Sequence, residues 1–340
     1  MTSLRFGCIG CGGMGRLHVR NSKFVPGMEV VAFADVKKER ADEFLKAFGG
    51  EYATDEGQRI IDDTSLQGVL IQTGQKHHPA LGIAAARAGK HIFMEKPIAV
   101  TYAEAQRLVQ AVRSSGVKYI IGLCNRLAPL AQRAKRLCPR PRLSYCQCTD
   151  LISAQACHNL DLAVHLFHEA PVRTVFASGG NYYNADPQYP DVDCFSAVIS
   201  FADGSVHTYI QHGIARNPVL SKYHFQLFGE KGECVYLAER FKKLYYIPHG
   251  KLAHTMAYEG PDFSPPEVQP EEDVRGPYGY MGHYEELAEL CQAIRAGTEP
   301  PMTVEHGAFV LALEQAILES VRTGKVIEME SFVKAIAGRA

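Results

Sequence analysis

The chain has 340 residues, 46% of them hydrophobic and 21% charged, which is enough for two cores and too few for a string of small modules. Its 36 Lys and Arg nearly cancel 37 Asp and Glu, so no field able to hold a polyanion is implied and nucleic acid is not expected as a partner. The opening MTSLRFGCIGCGGMG enters a strand and a glycine turn without a charged, apolar and cleavable leader, and no apolar run approaches the roughly 20 residues that span a bilayer, so a cytoplasmic protein with no membrane partner is expected.

From residue 4 to 123, short β-branched runs alternate with amphipathic segments of helical length, the pattern of parallel strands joined by helical crossovers. Strands are expected over 4–9, 29–34, 68–73, 91–95 and 117–123, with a weaker one near Tyr52. Thr101 and Glu104 form a capping box for a helix that Gly116 ends; Gly49 and Gly50 close a helix begun near Lys37, and Gly89 closes one begun near Pro79. The fold class is therefore α/β: a doubly wound Rossmann-type dinucleotide-binding domain over 1–123, then a second α+β domain over 124–340.

In that second part a helix is expected over 158–167, hairpins form around Asp203-Gly204 and around 230–232, and helices cover 284–295 and 305–323. The segment 258–279, rich in Pro, Gly and acidic residues, reads as a long surface connector. Ten scattered cysteines lack matched CxxC pairs, and Cys146 and Cys148 lie two apart in a strand-like run, so they read as buried thiols. With no HExxH and no carboxylate cluster at ligand spacing, no metal is expected.

Gly10, Gly12 and Gly15 form GxGxxG between the first strand and the first helix, where the backbone turns tightly and a pyrophosphate can approach the helix N-terminus. Twenty residues after the last glycine, Asp35 ends the second strand, placed to accept hydrogen bonds from ribose hydroxyls. Its charge would repel a 2′-phosphate, although Lys37 and Lys38 partly offset it, so NAD is favoured over NADP.

The strand GVLIQT, then Gln75, His78, the turn AGKHIFM and the triplet Glu95-Lys96-Pro97 together resemble the glucose-fructose oxidoreductase / inositol dehydrogenase (Gfo/Idh/MocA) family. The stretches GLCNRLAPL, CHNLDLAVHLF and FQLFGEKGECVYL extend the resemblance over nearly the whole chain. It implies a C-terminal domain with an open, mostly antiparallel sheet, a homo-dimer or homo-tetramer formed through that sheet, and a sugar-like or cyclitol-like polyol as substrate. Around the glycine turn the cofactor residues it implies are Gly10, Cys11, Gly12, Gly13, Met14 and Gly15; beyond it they are Asp35, Thr73, Gln75, His78, Glu95 and Lys96.

Hydride transfer from an alcohol carbon requires the hydroxyl proton to leave to a nearby group. Lys96, at the carboxyl end of a parallel strand, can hydrogen-bond the reacting oxygen, and the resemblance gives Glu95 the nicotinamide end. His158 and Asp161 share a helix face in the family's HxxD arrangement, with His158 as the proton acceptor or donor; His165, in DxxxH spacing from Asp161, is the alternative. The sequence departs from the inositol-dehydrogenase pattern at Ala154, where that pattern has aspartate. Asn125, Arg126, Tyr280 and His283 and, more weakly, Tyr182 and Tyr183 are candidate polyol contacts. Two other activities use the same parts: glycoside cleavage through transient oxidation by NAD, and nicotinamide sensing without turnover.

Overall fold

The computed structural model describes residues 3–183, 192–213, 223–248, 267 and 275–338. By contacts the chain divides into two compact units, Met1–Cys124 with Arg275–Leu311 and Ile336–Ala340, and Asn125–Val274 with Ala312–Ala335.

In the first unit β1 (Leu4–Ile9), β2 (Met28–Ala34), β3 (Tyr52–Thr54), β4 (Gly68–Ile71), β5 (His91–Met94) and β6 (Tyr119–Ile121) alternate with α1 (Gly13–Ser22), α2 (Lys38–Phe48), α3 (Gly57–Asp62), α4 (His78–Arg87) and α5 (Tyr102–Ser115). The strands are all parallel in the order β3-β2-β1-β4-β5-β6, and the sense in which successive strands are added switches between β1 and β4. Every residue of β4 is buried and β5 is buried after its first residue, as strands covered on both faces must be. The expected capping box on α5 is complete: the Glu104 amide donates to Thr101 Oγ1, the Thr101 amide to Glu104 Oε2, and Gly116 ends the helix in left-handed backbone.

The second unit carries α6 (Pro129–Leu137), β7 (Pro141–Thr149), α7 (Ile152–Asp161), β8 (Val172–Gly180), β9 (Cys194–Phe201), β10 (Val206–His212), β11 (Tyr223–Gly229), β12 (Cys234–Ala238) and β13 (Lys243–Ile247). After α8 (His283–Ala296) and α9 (Val304–Thr323) come β14 (Ile327–Glu328) and α10 (Met329–Ala337). Among the described residues the second sheet has eight strands, β13-β12-β11-β7-β10-β9-β8-β14, all antiparallel pairs except β7 with β10. Cys146 and Cys148 lie on its buried face, and no disulfide forms among the ten cysteines.

α7 starts six residues before the expected 158, because Ile152 to Cys157 are mostly small or polar and give no helical period. Past Asp161 the helix widens into a π-helical turn, Leu162–Phe167. Most of the connector expected over 258–279 lies outside the described residues. No helix among the described residues is long and apolar enough to cross a membrane.

Candidate active site

The glycine turn is dictated by space. Gly10 has φ +104°, and a Cβ there would stand 2.5 Å from the Gln72 carbonyl; at Gly15 it would stand 2.3 Å from the Gly10 carbonyl. At Gly12 and Gly13 a Cβ would meet nothing within 4 Å, so backbone at the start of α1 faces open room. Cys11 is buried and Met14 exposed. Asp35 is held by two main-chain donors, Cys11 N at 2.9 Å and Lys37 N at 3.0 Å. Beside it lies a cavity of about 470 Å³ lined by Gly10, Gly12, Asp35, Arg40, Asp55, Gln72 and Thr73, among others.

Thr73 Oγ1 and both polar atoms of the Gln72 amide are buried without a hydrogen-bond partner among the described residues. Together with the bare glycine backbone and the fixed carboxylate, they fit a dinucleotide. Gln72 lies within the stretch GVLIQT but is not singled out by it; its role follows from its place on the cavity wall. Gln75 opens a single 3-10 turn over Gln75–His77, and His78 begins α4. His78 is buried, with Nε2 2.9 Å from the Thr73 carbonyl and Nδ1 2.7 Å from the Pro97 carbonyl. Both ring nitrogens are thereby engaged by main chain, and His78 ties the loop after β4 to the loop after β5.

Glu95 and Lys96 follow β5 at the carboxyl edge of the sheet, as Gly10 follows β1. Glu95 Oε1 meets His18 Nε2 at 2.8 Å, and Oε2 accepts the Lys96 amide at 3.1 Å. Burial opposes its ionisation, but the His18 hydrogen bond and the nearby positive groups outweigh it and bring the pKa down to about 2. His283 is the first residue of α8 and is buried, its Nδ1 3.3 Å from Glu286 Oε1. His18 and Glu286 were missed by sequence reasoning. His18 lies three residues past Gly15 on α1, one helical turn that could have drawn attention to it. Tyr280 is half-buried in a 3-10 turn, Gly279–Met281.

In the second unit Asp161 is the organising group. Arg126 grips it through two hydrogen bonds, Nε to Oδ2 at 2.9 Å and Nη2 to Oδ1, while His165 Nδ1 lies 3.0 Å from Oδ1. Burial would raise the Asp161 pKa, yet the Arg126 charge and the His165 bond hold it well below the usual carboxylate range. His158 is 5% exposed on the same helix, and Asn125 is buried beside Arg126 in the chain. Tyr182 and Tyr183 are exposed, their amides pinned by Asp193 at 2.8 and 2.7 Å.

Residues 4–123 match the family model described as "Oxidoreductase family, NAD-binding Rossmann fold", and residues 149–329 match "Oxidoreductase family, C-terminal alpha/beta domain". A myo-inositol 2-dehydrogenase of Thermotoga maritima is 23% identical over 97% of this chain and all of that protein. An inositol 2-dehydrogenase of Acidothermus cellulolyticus is 31% identical over 52% of this chain and 57% of that one. A solved levoglucosan dehydrogenase, in complex with NADH and L-sorbose, superposes with a TM-score of 0.83 at 23% identity, covering 97% of this chain and 99% of the other. The chain belongs to the Gfo/Idh/MocA family of NAD-binding oxidoreductases and is a dehydrogenase acting on CH–OH groups.

Proposed function

We propose that the protein transfers hydride between NAD and a secondary alcohol carbon of a sugar, sugar derivative or cyclitol. The observation that carries this reading is Lys96 on the carboxyl edge of the parallel sheet, its amide fixed by an ionised Glu95, at the edge where Gly10, Asp35 and the cavity lie. The inositol and levoglucosan dehydrogenases among its relatives support the polyol class.

When bound, NAD supplies the hydride acceptor. Lys96 holds the reacting oxygen through its ammonium, and His158 takes the hydroxyl proton as the carbon is oxidised. Asp161 stays ionised and keeps Arg126 in place, leaving Arg126 and Asn125 as contacts for neighbouring hydroxyls. One observation favours a second assignment of the base: the 3.0 Å bond from Asp161 to His165 Nδ1 is the arrangement that orients an imidazole for proton exchange.

The test is reduced-nicotinamide formation over a panel of cyclitols, aldoses and anhydrosugars with NAD. Lys96→Ala should lose roughly 100-fold or more in kcat, the scale of a positioned acid–base group. Undiminished turnover in Lys96→Ala sinks the mechanism. His158→Gln and His165→Gln assign the base, since a base must be unprotonated to act and loss of the acid limb of the kcat profile for alcohol oxidation is expected in His158→Gln alone. Product formed without net NADH would instead indicate transient oxidation.

A further inference from the structure

Behind the strand end that carries Lys96, two carboxyl groups and two imidazoles are enclosed in the first unit. His18 is fully buried against Phe93, with ring centroids 4.6 Å apart. Its Nε2 meets Glu95 at 2.8 Å, whereas its Nδ1 is buried without a hydrogen-bond partner among the described residues and faces Glu286 Oε1 at 3.5 Å. That same oxygen is 3.3 Å from His283 Nδ1, and the far nitrogen of His283 is 3.8 Å from Cys124 Sγ. Glu286 is 0% exposed and its Oε2 has no hydrogen-bond partner among the described residues.

Two carboxylates facing one buried imidazole are costly if both are charged, so one of them keeps its proton. Glu95 has the His18 bond, the Lys96 amide and the Lys96 charge to favour ionisation. For Glu286, burial comes first, and repulsion from Glu95 and Glu285 adds to it; His18 alone opposes them, and the carboxyl is pushed well above its ordinary pKa. A neutral Glu286 has a hydrogen to give, and the atoms facing Oε1 are ring nitrogens.

We propose that Glu286 and His18 are positioning residues for Lys96: the carboxylic acid of Glu286 donates to His18 Nδ1, which leaves the His18 proton on Nε2, and that N–H holds the Glu95 carboxylate against the Lys96 main chain. This rests on the reading of Lys96 as the group that holds the reacting hydroxyl. The arrangement is a tautomer lock. An imidazole between two carboxyls can carry its proton on either nitrogen, and Glu286 selects the form that donates toward β5. His283, on the other side of Glu286 Oε1, competes for the same hydrogen, and Cys124 is the group at its far nitrogen.

The experiment pairs kinetics with infrared spectroscopy of the full chain. His18→Leu leaves Glu95 buried without its donor, so kcat should fall about 10- to 100-fold, the scale of a misplaced reacting group, with KM for NAD little changed. The acid limb of kcat/KM should move up in pH, because an unpartnered Glu95 takes a proton more readily. His18→Gln, whose amide can place a donor where Nε2 stood, should restore most of the loss and guards against a folding defect. In the infrared, wild type at neutral pH should show one buried protonated carboxyl that disappears in Glu286→Gln, and His18→Leu should add a second from Glu95. A pH profile in His18→Leu that superimposes on wild type, or no protonated carboxyl assignable to Glu286, overturns the proposal. So does a stoichiometric divalent metal in the purified protein that is lost in His18→Leu, since His18, His283 and Glu286 place ligand atoms within 4.8 Å of one another. If no polyol is turned over, the dehydrogenase reading fails, while the infrared titration still decides whether His18 holds Glu95 ionised.

Discussion

Asp35 places a charge at a fixed point. With Cys11 N on one oxygen and Lys37 N on the other, its carboxylate cannot swing away from the cavity without losing both donors. A ribose diol can share those oxygens, whereas a 2′-phosphate meets a like charge. Lys38 offers little relief because it is paired with Asp42 at 2.7 Å, but Arg40 lines the same cavity. Asp35→Ser should therefore weaken NAD by roughly 10- to 100-fold, the worth of hydrogen bonds to a charged group, and improve NADP. KM measured for both cofactors checks this, and an unchanged NAD/NADP preference would remove Asp35 from ribose recognition.

Residues of this kind are legible in a sequence because their demands are local. Gly10 and Gly15 are forced by carbonyls within 2.5 Å of where a Cβ would sit, and Asp35 by its distance from the turn. His18 and Glu286 are not legible in that way: 268 positions separate them in the chain, and only folding brings their atoms to 3.5 Å. His78 carried a family signal toward the cofactor, yet its two ring contacts are main-chain carbonyls of loops, which no spacing rule anticipates.

Elements with strong punctuation were equally legible. The capping box at Thr101, the glycine stops and the Asp203-Gly204 turn mark boundaries close to those observed, because caps and turns act over three or four residues. The start of α7, all of α6 and the place of β7 in the sheet were not, since β7 pairs in parallel with a strand some sixty residues on and that partner, not its own pattern, fixes its register. This pairing also buries polar groups. Ser144 on β7 stands opposite His207 on β10, its Oγ 2.7 Å from His207 Nδ1 and 2.7 Å from His168 Nε2; His168 Nδ1 reaches Ser205 Oγ at 2.9 Å, and Ser205 donates to Asp203 at 2.7 Å.

The donors in this chain can be ordered. Because Ser205 gives its hydrogen to Asp203, it accepts from His168 Nδ1; His168 then accepts from Ser144, and Ser144 accepts from His207. Both rings are neutral, and burial brings the His168 pKa down to about 4 and that of His207 to about 3. As the pH falls below about 6.5, the unfolded chain binds protons that the folded chain refuses, so stability contributed above that value is lost progressively down to pH 4 and 3. Chemical denaturation at a series of pH values should show this decline, shallower in His207→Phe; equal slopes in the two proteins would sink the argument.

At the scale of the molecule, the second sheet has two unlike faces. Helices α6 and α7 pack on one; on the other, Phe176, Val198, Thr208 and Tyr145 are register neighbours across four strands, with Phe176 43% and Val198 41% exposed. The row continues through Gln226, Tyr236 and Tyr245. Apart from Thr208 and Gln226 the row is apolar or aromatic, a stripe that calls for a cover, and we expect a second copy of the chain to supply it in a homo-dimer or homo-tetramer. Light scattering should give a multiple of the 37.5 kDa chain mass, reduced in Val198→Lys; a wild-type monomer would leave the stripe unexplained.

The first unit, finally, is not written in one piece. Its glycine turn, Asp35 and the whole cavity wall come from residues 9–81, but Glu286 arrives only with α8, after the chain has gone away to build a second sheet and come back. A nascent chain emerging from the ribosome therefore displays the dinucleotide fingerprint long before His18 has its second carboxyl. A gene fragment ending at Cys124 would encode every strand of the parallel sheet while leaving His18 with Glu95 as its sole carboxyl partner from the buried cluster.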